Sequence, residues 1–164
     1  MNQNQINIDN SRLIIKVDKS PLIIRIILSL ILVVSFLIPF IAIFISINYT
    51  EGLQFGIIIT FLIFWGIGFY ILRVVLWNGY GKEILTLNSE KVSYIADYKL
   101  FRDGYQELDT KNLSVNIIVD SNSSESKGYL KLQNKKDFIE TNLKTRQSDL
   151  NLLKFEIEKR YNIT

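Results

Sequence analysis

The side chains in this sequence able to hold or move a proton are carboxylates, lysines, tyrosines and hydroxyls, because its 164 residues include no histidine and no cysteine. Imidazole bases, serine and cysteine triads, disulfides, and cysteine- or histidine-ligated metal sites are thereby excluded. The densest set of carboxylates is Asp97, Asp103, Glu107 and Asp109. Two carboxylates held close together can divide the work of acid and base. These four alternate with Lys99 and Arg102 along expected turns and strand ends, which is the pattern of a solvated charged hairpin. Gly79-Tyr80-Gly81-Lys82 has glycines and a lysine but neither the spacing nor the Ser/Thr of a phosphate-binding loop. It reads as a two-glycine bend, with Lys82 and Glu83 at a charged interface. Lys135 and Lys136, with Lys131 and Lys144 nearby, offer charge to anionic headgroups, but Asp137 and Glu140 dilute it. The expectation is a chain with no catalytic residue, no cofactor and no metal.

Net charge is +3 and thinly spread. Arg12, Lys16, Lys19 and Arg25 are set against Asp9 and Asp18 near the start, and basic and acidic residues are mixed after Arg73. Nucleic acid binding wants a clustered basic face, and none is present.

Any functional surface must be positioned by an unusual arrangement of elements. Ile26–Thr50 carries no charge, and neither does Gly52–Leu72. Each run reaches the ~20 apolar residues that span a bilayer's hydrocarbon as a helix. Spans are expected over about 22–47 and 53–76, within a hairpin of residues 21–77 whose short connection makes them antiparallel neighbours. Basic residues lie before the first span and after the second, at Arg73 and Lys82, and the connection has none. Both termini are therefore expected in the cytoplasm. Arg25, Tyr70, Arg73, Trp77 and Tyr80 suit the membrane interface. Pro39 is a candidate kink, and Ala42 with Ser46 and Gly56 with Thr60 have the small-residue spacing of close helix packing. With Glu51 as the lone charge between Arg25 and Arg73, the hairpin lacks the buried charges of an ion path or proton relay.

The flanks read as strands. Leu13, Ile15 and Val17 alternate onto one face, and Ile6-Asn7-Ile8 can pair with that strand across Asp9-Asn10-Ser11. Residues 1–20 are thus expected to join a sheet built by residues 78–164. In that second segment, Glu83–Leu87 and Lys91–Ala96 flank an Asn88-Ser89-Glu90 turn, and Asp103-Gly104 predicts a hairpin between Tyr98–Arg102 and Tyr105–Asp109. Lys111–Val119, Gly128–Gln133 and Asp137–Leu143 follow, interrupted by the polar loop Asp120–Ser126. A helix over about 147–161 closes the chain. Leu150, Leu153, Ile157 and Tyr161 form the stripe that should face the sheet, with Leu152 and Phe155 on the other side as a candidate partner-docking patch. The fold class expected is a transmembrane helical hairpin inserted into a small α+β domain with a mainly antiparallel sheet.

This order of elements, with the exit sequence Leu76-Trp77-Asn78-Gly79-Tyr80-Gly81-Lys82-Glu83-Ile84, resembles small bacterial two-span membrane proteins carrying a bacterial pleckstrin-homology-like (PH-like) domain. The resemblance implies a multi-pass protein of the bacterial cytoplasmic membrane with a cytoplasmic PH-like domain. The function expected is a non-enzymatic, membrane-anchored interaction or scaffold protein, with the bilayer and a protein partner or second copy as its contacts. The alternatives are an immunity or self-protection protein against a membrane-acting toxin, and an accessory subunit of a larger membrane complex.

Overall fold

The computed structural model describes residues 5–9, 11–49, 55–119 and 126–163. Two compact units result, one from residues up to Asp18 together with Tyr80 onward, the other from Lys19–Gly79.

The second unit is the hairpin. Helix α1 spans Leu22–Tyr49 and α2 spans Phe55–Tyr80, 28 and 26 residues, with Pro39 inside α1. Both are long and apolar enough to cross a membrane. Ile, Leu and Phe dominate all sides of each helix, so neither has the polar face of a helix lying on a soluble core. Their meeting surface is aromatic. Phe36 approaches Trp65 and Phe69 at 5.6 and 5.7 Å between centroids, and Phe40 approaches Phe61 at 5.6 Å. As the chain rises from Phe36 to Phe40 its partners descend from Phe69 to Phe61, so the helices are antiparallel. These edge-to-face rings are favourable beyond the area they bury.

A close approach falls at Gly68, where an added Cβ would stand 3.2 Å from the Phe36 ring. Ala42 is half-buried and Ser46 buried, whereas Gly56 is exposed with nothing within 4 Å of its missing Cβ among the described residues. The expected small-residue contact therefore lies twelve residues along α2 from Gly56. Gly68→Leu is expected to lower the thermal midpoint of the detergent-solubilised chain, at a cost of about 1–3 kcal/mol from overpacking. Gly56→Leu should leave the midpoint unchanged.

The first unit begins with β1 (Ile6–Asp9) and β2 (Arg12–Lys16), continues after the hairpin with β3 (Lys82–Leu87), β4 (Lys91–Tyr98) and β5 (Phe101–Asp109), and these five form one sheet in the order β1-β2-β3-β4-β5. Every neighbouring pair is antiparallel. The hairpin is thus inserted in a meander, between strands that lie side by side: Lys16 is registered with Lys82, and the Val17 N–H donates to the Gly81 carbonyl at 2.9 Å. Asn10, in the turn expected between β1 and β2, lies outside the described residues.

A second sheet, rather than an extension of the first, is made by β6 (Ser114–Val119), β7 (Lys127–Gln133), β8 (Phe138–Glu140) and β9 (Thr145–Arg146), with β8 and β9 both pairing with β7. Most of the expected loop Asp120–Ser126 falls outside the described residues. Helix α3 (Gln147–Tyr161) packs on β6, β7 and β9. The two sheets and the helix share one core. Leu13, Ile15, Leu85, Val92 and Leu108 enter from the first sheet, Val115, Leu130, Leu132 and Ile139 from the second, and Leu150, Leu153 and Ile157 from α3. In β3 and β7 burial alternates residue by residue, the period a half-buried strand requires.

The hairpin expected at Asp103-Gly104 is overturned. Strand β5 runs straight through those residues, and the turn is Lys99-Leu100, closing Tyr98 against Phe101. Gly104 has φ +64°, and the register slips so that Gly104 and Tyr105 oppose Ile95. This is a β-bulge, where glycine tolerates the left-handed conformation. Burial decides between the two arrangements. The bulge keeps Val92 opposite Leu108 with both side chains in the core, and a shift by one residue would turn them out. An aspartate does mark the turn, but it is Asp97, whose Oδ1 accepts the Lys99 N–H at 3.2 Å.

Candidate functional site

The polar cluster that the fold builds most completely lies inside the first unit. The β3 alternation that sends Leu85 and Leu87 inward sends Glu83 inward as well, and its side chain is 0% exposed. This corrects the expectation that Glu83 sits at a charged interface. Tyr94, on the adjacent strand β4, donates its hydroxyl proton to Glu83 Oε1 at 2.9 Å. The chain after β8 closes the other side. The Asn142 N–H donates to Oε1 at 2.8 Å, the Leu143 N–H to Oε2 at 3.3 Å, and Asn142 Nδ2 to the Tyr94 hydroxyl oxygen at 3.0 Å.

Burial raises the Glu83 pKa above the usual carboxylate value, and the Tyr94 hydroxyl and the two backbone N–H groups partly oppose that rise. Tyr94 is itself pushed up, first by burial and then by the neighbouring Glu83 charge. A buried charge is tolerated only when its hydrogen-bonding capacity is met. The cluster therefore ties β3 and β4 of the first sheet to the β8–β9 connection of the second. Glu83 has no exposed surface through which to meet a substrate, so its geometry is that of a structural clasp.

Among the carboxylates considered for catalysis, Asp97 pairs with Arg102 at 3.4 Å and Lys82 at 3.9 Å, and Glu107 pairs with Lys91 at 2.7 Å and accepts the Tyr105 hydroxyl. Lys91 and the Tyr105 hydroxyl hold Glu107 below its usual pKa. Each of these two carboxylates has its own partners, and the pattern is that of a charged strand surface. Among the described residues no group of three or more Asp and Glu could hold a metal.

The basic residues of the late strands are dispersed. Lys131 Nζ lies 4.6 Å over the Phe138 ring, and Lys135 and Lys136 sit in a β7–β8 turn organised by Asn134, whose Oδ1 accepts the backbone N–H groups of Lys136 and Asp137. Leu152 and Phe155 remain 50% and 60% exposed on α3. A groove of about 310 Å3 lies between β1–β3 and α3, lined by Ile8, Leu13, Leu87, Asp9, Glu156 and Lys159, among others. Its mixture of charge and sparse apolar surface selects no ligand class.

Of the residues expected at the membrane interface, Arg25 is exposed near the start of α1, and Tyr70, Arg73, Trp77 and Tyr80 occupy the last turns of α2. Lys99, in the β4–β5 turn, places Nζ 4.5 Å over the Tyr80 ring. Thr60 spends its hydroxyl within α2, donating to the Gly56 carbonyl at 2.9 Å. Compared with models of protein families, with curated proteins and with solved structures, the chain matches none.

Proposed function

We propose that this chain is a non-enzymatic interaction protein of the bacterial cytoplasmic membrane, anchored by α1 and α2 and presenting its two-sheet domain, of PH-like type, to the cytoplasm. The observation that carries this reading is the insertion of the hairpin between adjacent strands. Because β2 and β3 are paired, both ends of the anchor are fixed to one sheet. Support for a lipid environment comes from the helices themselves, whose apolar windows are only 11% and 6% buried by protein. Leaving that much apolar surface in water is unfavourable at about 25 cal/mol per Å2. The distribution of basic residues favours cytoplasmic termini. Two antiparallel sheets closing over one core with a helix after the last strand agree with the PH-like reading.

The partner-docking surface in this reading is the outer side of α3, at Leu152 and Phe155. A photo-reactive residue at position 155, introduced into the full chain in bacterial cells, is expected to yield a discrete protein adduct, and one at Ser89 none. Replacing Leu152 with Ser and crosslinking from the same position should reduce the adduct severalfold with the thermal midpoint unchanged. Equal adducts from positions 89 and 155 would dismiss the α3 surface.

A further inference from the structure

The end of the five-stranded sheet from which the hairpin departs has a composition unlike the opposite end. The antiparallel registers place Lys16 beside Lys82, Lys82 beside Asp97, and Asp97 beside Arg102, so one row crosses four strands with three cations and one carboxylate. Asp97 bonds to Lys82 and Arg102 and accepts the Lys99 N–H, which leaves Lys16 directly opposite another lysine. Like charges at facing positions are unfavourable unless a counter-charge lies nearby. Counting the flanking Asp18, Lys99 and Asp103, this end carries four cations against three carboxylates.

The turn beyond the row is equally distinctive. Lys99 is a non-glycine residue at φ +70°, and the Leu100 N–H donates to the Tyr98 carbonyl at 2.9 Å to close a γ-turn around it. Backbone strain of this kind persists only where the surroundings enforce it. Here Asp97 holds the Lys99 N–H and the Tyr80 ring holds its ammonium at 4.5 Å. Leu100 projects at the tip, 70% exposed, followed by half-buried Phe101 and exposed Arg102. Tyr80 is the last residue of α2. Lys99 is thus stacked on the residue at which α2 ends and the chain turns into β3.

We propose that the Lys99-Leu100 turn and the Lys16–Lys82–Arg102 row form a docking surface for anionic phospholipid headgroups, with Leu100 entering the interface. The amphipathic tip supplies apolar burial, and the cations supply attraction that a zwitterionic surface does not return. This surface is separate from α3. It rests on the membrane reading given above.

The chain has no cysteine, so single-cysteine variants report unambiguously. The full chain would carry an environment-sensitive fluorophore at Leu100→Cys, at Ile67→Cys in the middle of α2, or at Ser89→Cys in the β3–β4 turn at the sheet's other end. Each would be reconstituted in nanodiscs of phosphatidylcholine alone or mixed with phosphatidylglycerol. The expected result is blue-shifted emission at position 100, with severalfold less quenching by aqueous iodide, in anionic discs only. Position 89 should report water and position 67 hydrocarbon in both lipids. A water-exposed probe at 100 in anionic discs, or equal burial in both lipids, overturns the lipid surface while leaving the anchor intact. A water-exposed probe at 67 overturns the anchor itself. Phe101→Cys should repeat the position 100 result, which guards against local damage from the Leu100 substitution.

Discussion

Glu83→Ala is expected to destabilise the two-sheet domain by about 3–5 kcal/mol, because hydrogen bonds to charged groups contribute about 1.5–3 kcal/mol each and buried groups left unpaired are costly. Three donors lose their acceptor in this variant: the Tyr94 hydroxyl and the Asn142 and Leu143 N–H groups. The cavity left at a position with 0% exposure adds to the cost. A total of about 5–15 kcal/mol is normal for a domain, so the loss removes a large part of it. The thermal midpoint, followed by circular dichroism in detergent, should fall by roughly 15 °C or more. An unchanged midpoint would mean that Glu83 is not the tie between the sheets.

The same residue gives the domain a pH dependence of definite sign. Its folded-state pKa is raised above the ordinary value of 4.5, chiefly by burial. The folded state therefore holds the proton more tightly than the unfolded chain. The stability linked to Glu83 is complete below the unfolded pKa and is lost as pH rises through the folded one. Glu107, held low by Lys91, has the opposite slope, so the Glu83 contribution is isolated by comparison with Glu83→Gln. Gln retains one oxygen for Tyr94 and Asn142 but turns an N–H toward the Leu143 N–H. The variant should be about 1–2 kcal/mol less stable in acid, with the gap narrowing as pH rises.

The sequence makes the elements more legible than the site. Long charge-free runs separated by a short polar connection can be read as a helical hairpin without tertiary information. So can the alternation of Leu13 and Ile15, which are 1% and 0% exposed. The stripe Leu150, Leu153, Ile157 is equally plain, and all three are fully buried. Two features depend on contacts distant in sequence and are therefore obscured. Asp103-Gly104 has the local chemistry of a hairpin turn, but the core register of Val92 and Leu108 reassigns its glycine to a bulge.

Glu83 looks like one half of a surface Lys-Glu pair. Its burial follows from partners 11, 59 and 60 residues away. The available signal was its phase, since Glu83 occupies the same face of β3 as Leu85 and Leu87. A carboxylate in phase with buried leucines predicts either a frayed strand end or a satisfied acid, and only the tertiary fold chooses between them.

Gly128 offers the other large effect, and it too is a property of two strands rather than of one. It stands at the start of β7, registered with Val119 of β6, inside an alternation that buries Leu130 and Leu132. A Cβ at this position would collide with the Ile118 carbonyl oxygen and lie 3.2 Å from the carbonyl carbon and the Val119 Cα. All three obstructing atoms are backbone, so no rotamer change relieves the clash. The β6–β7 ladder must open at that end or the strands must part. Gly128→Ala should therefore cost about 3 kcal/mol, the upper part of the range for overpacking, and Gly128→Val more. The position is not in the left-handed region, so close approach rather than backbone freedom is the constraint. Because β9 pairs with Gly128 through Thr145 and leads directly into α3, strain here should also loosen the start of that helix. Amide hydrogen exchange in the variant is expected to rise first at the β6–β7 end containing Ile118 and in the first turn of α3. Unchanged exchange in both segments, with an unchanged thermal midpoint, would show that the two strands do not approach this closely.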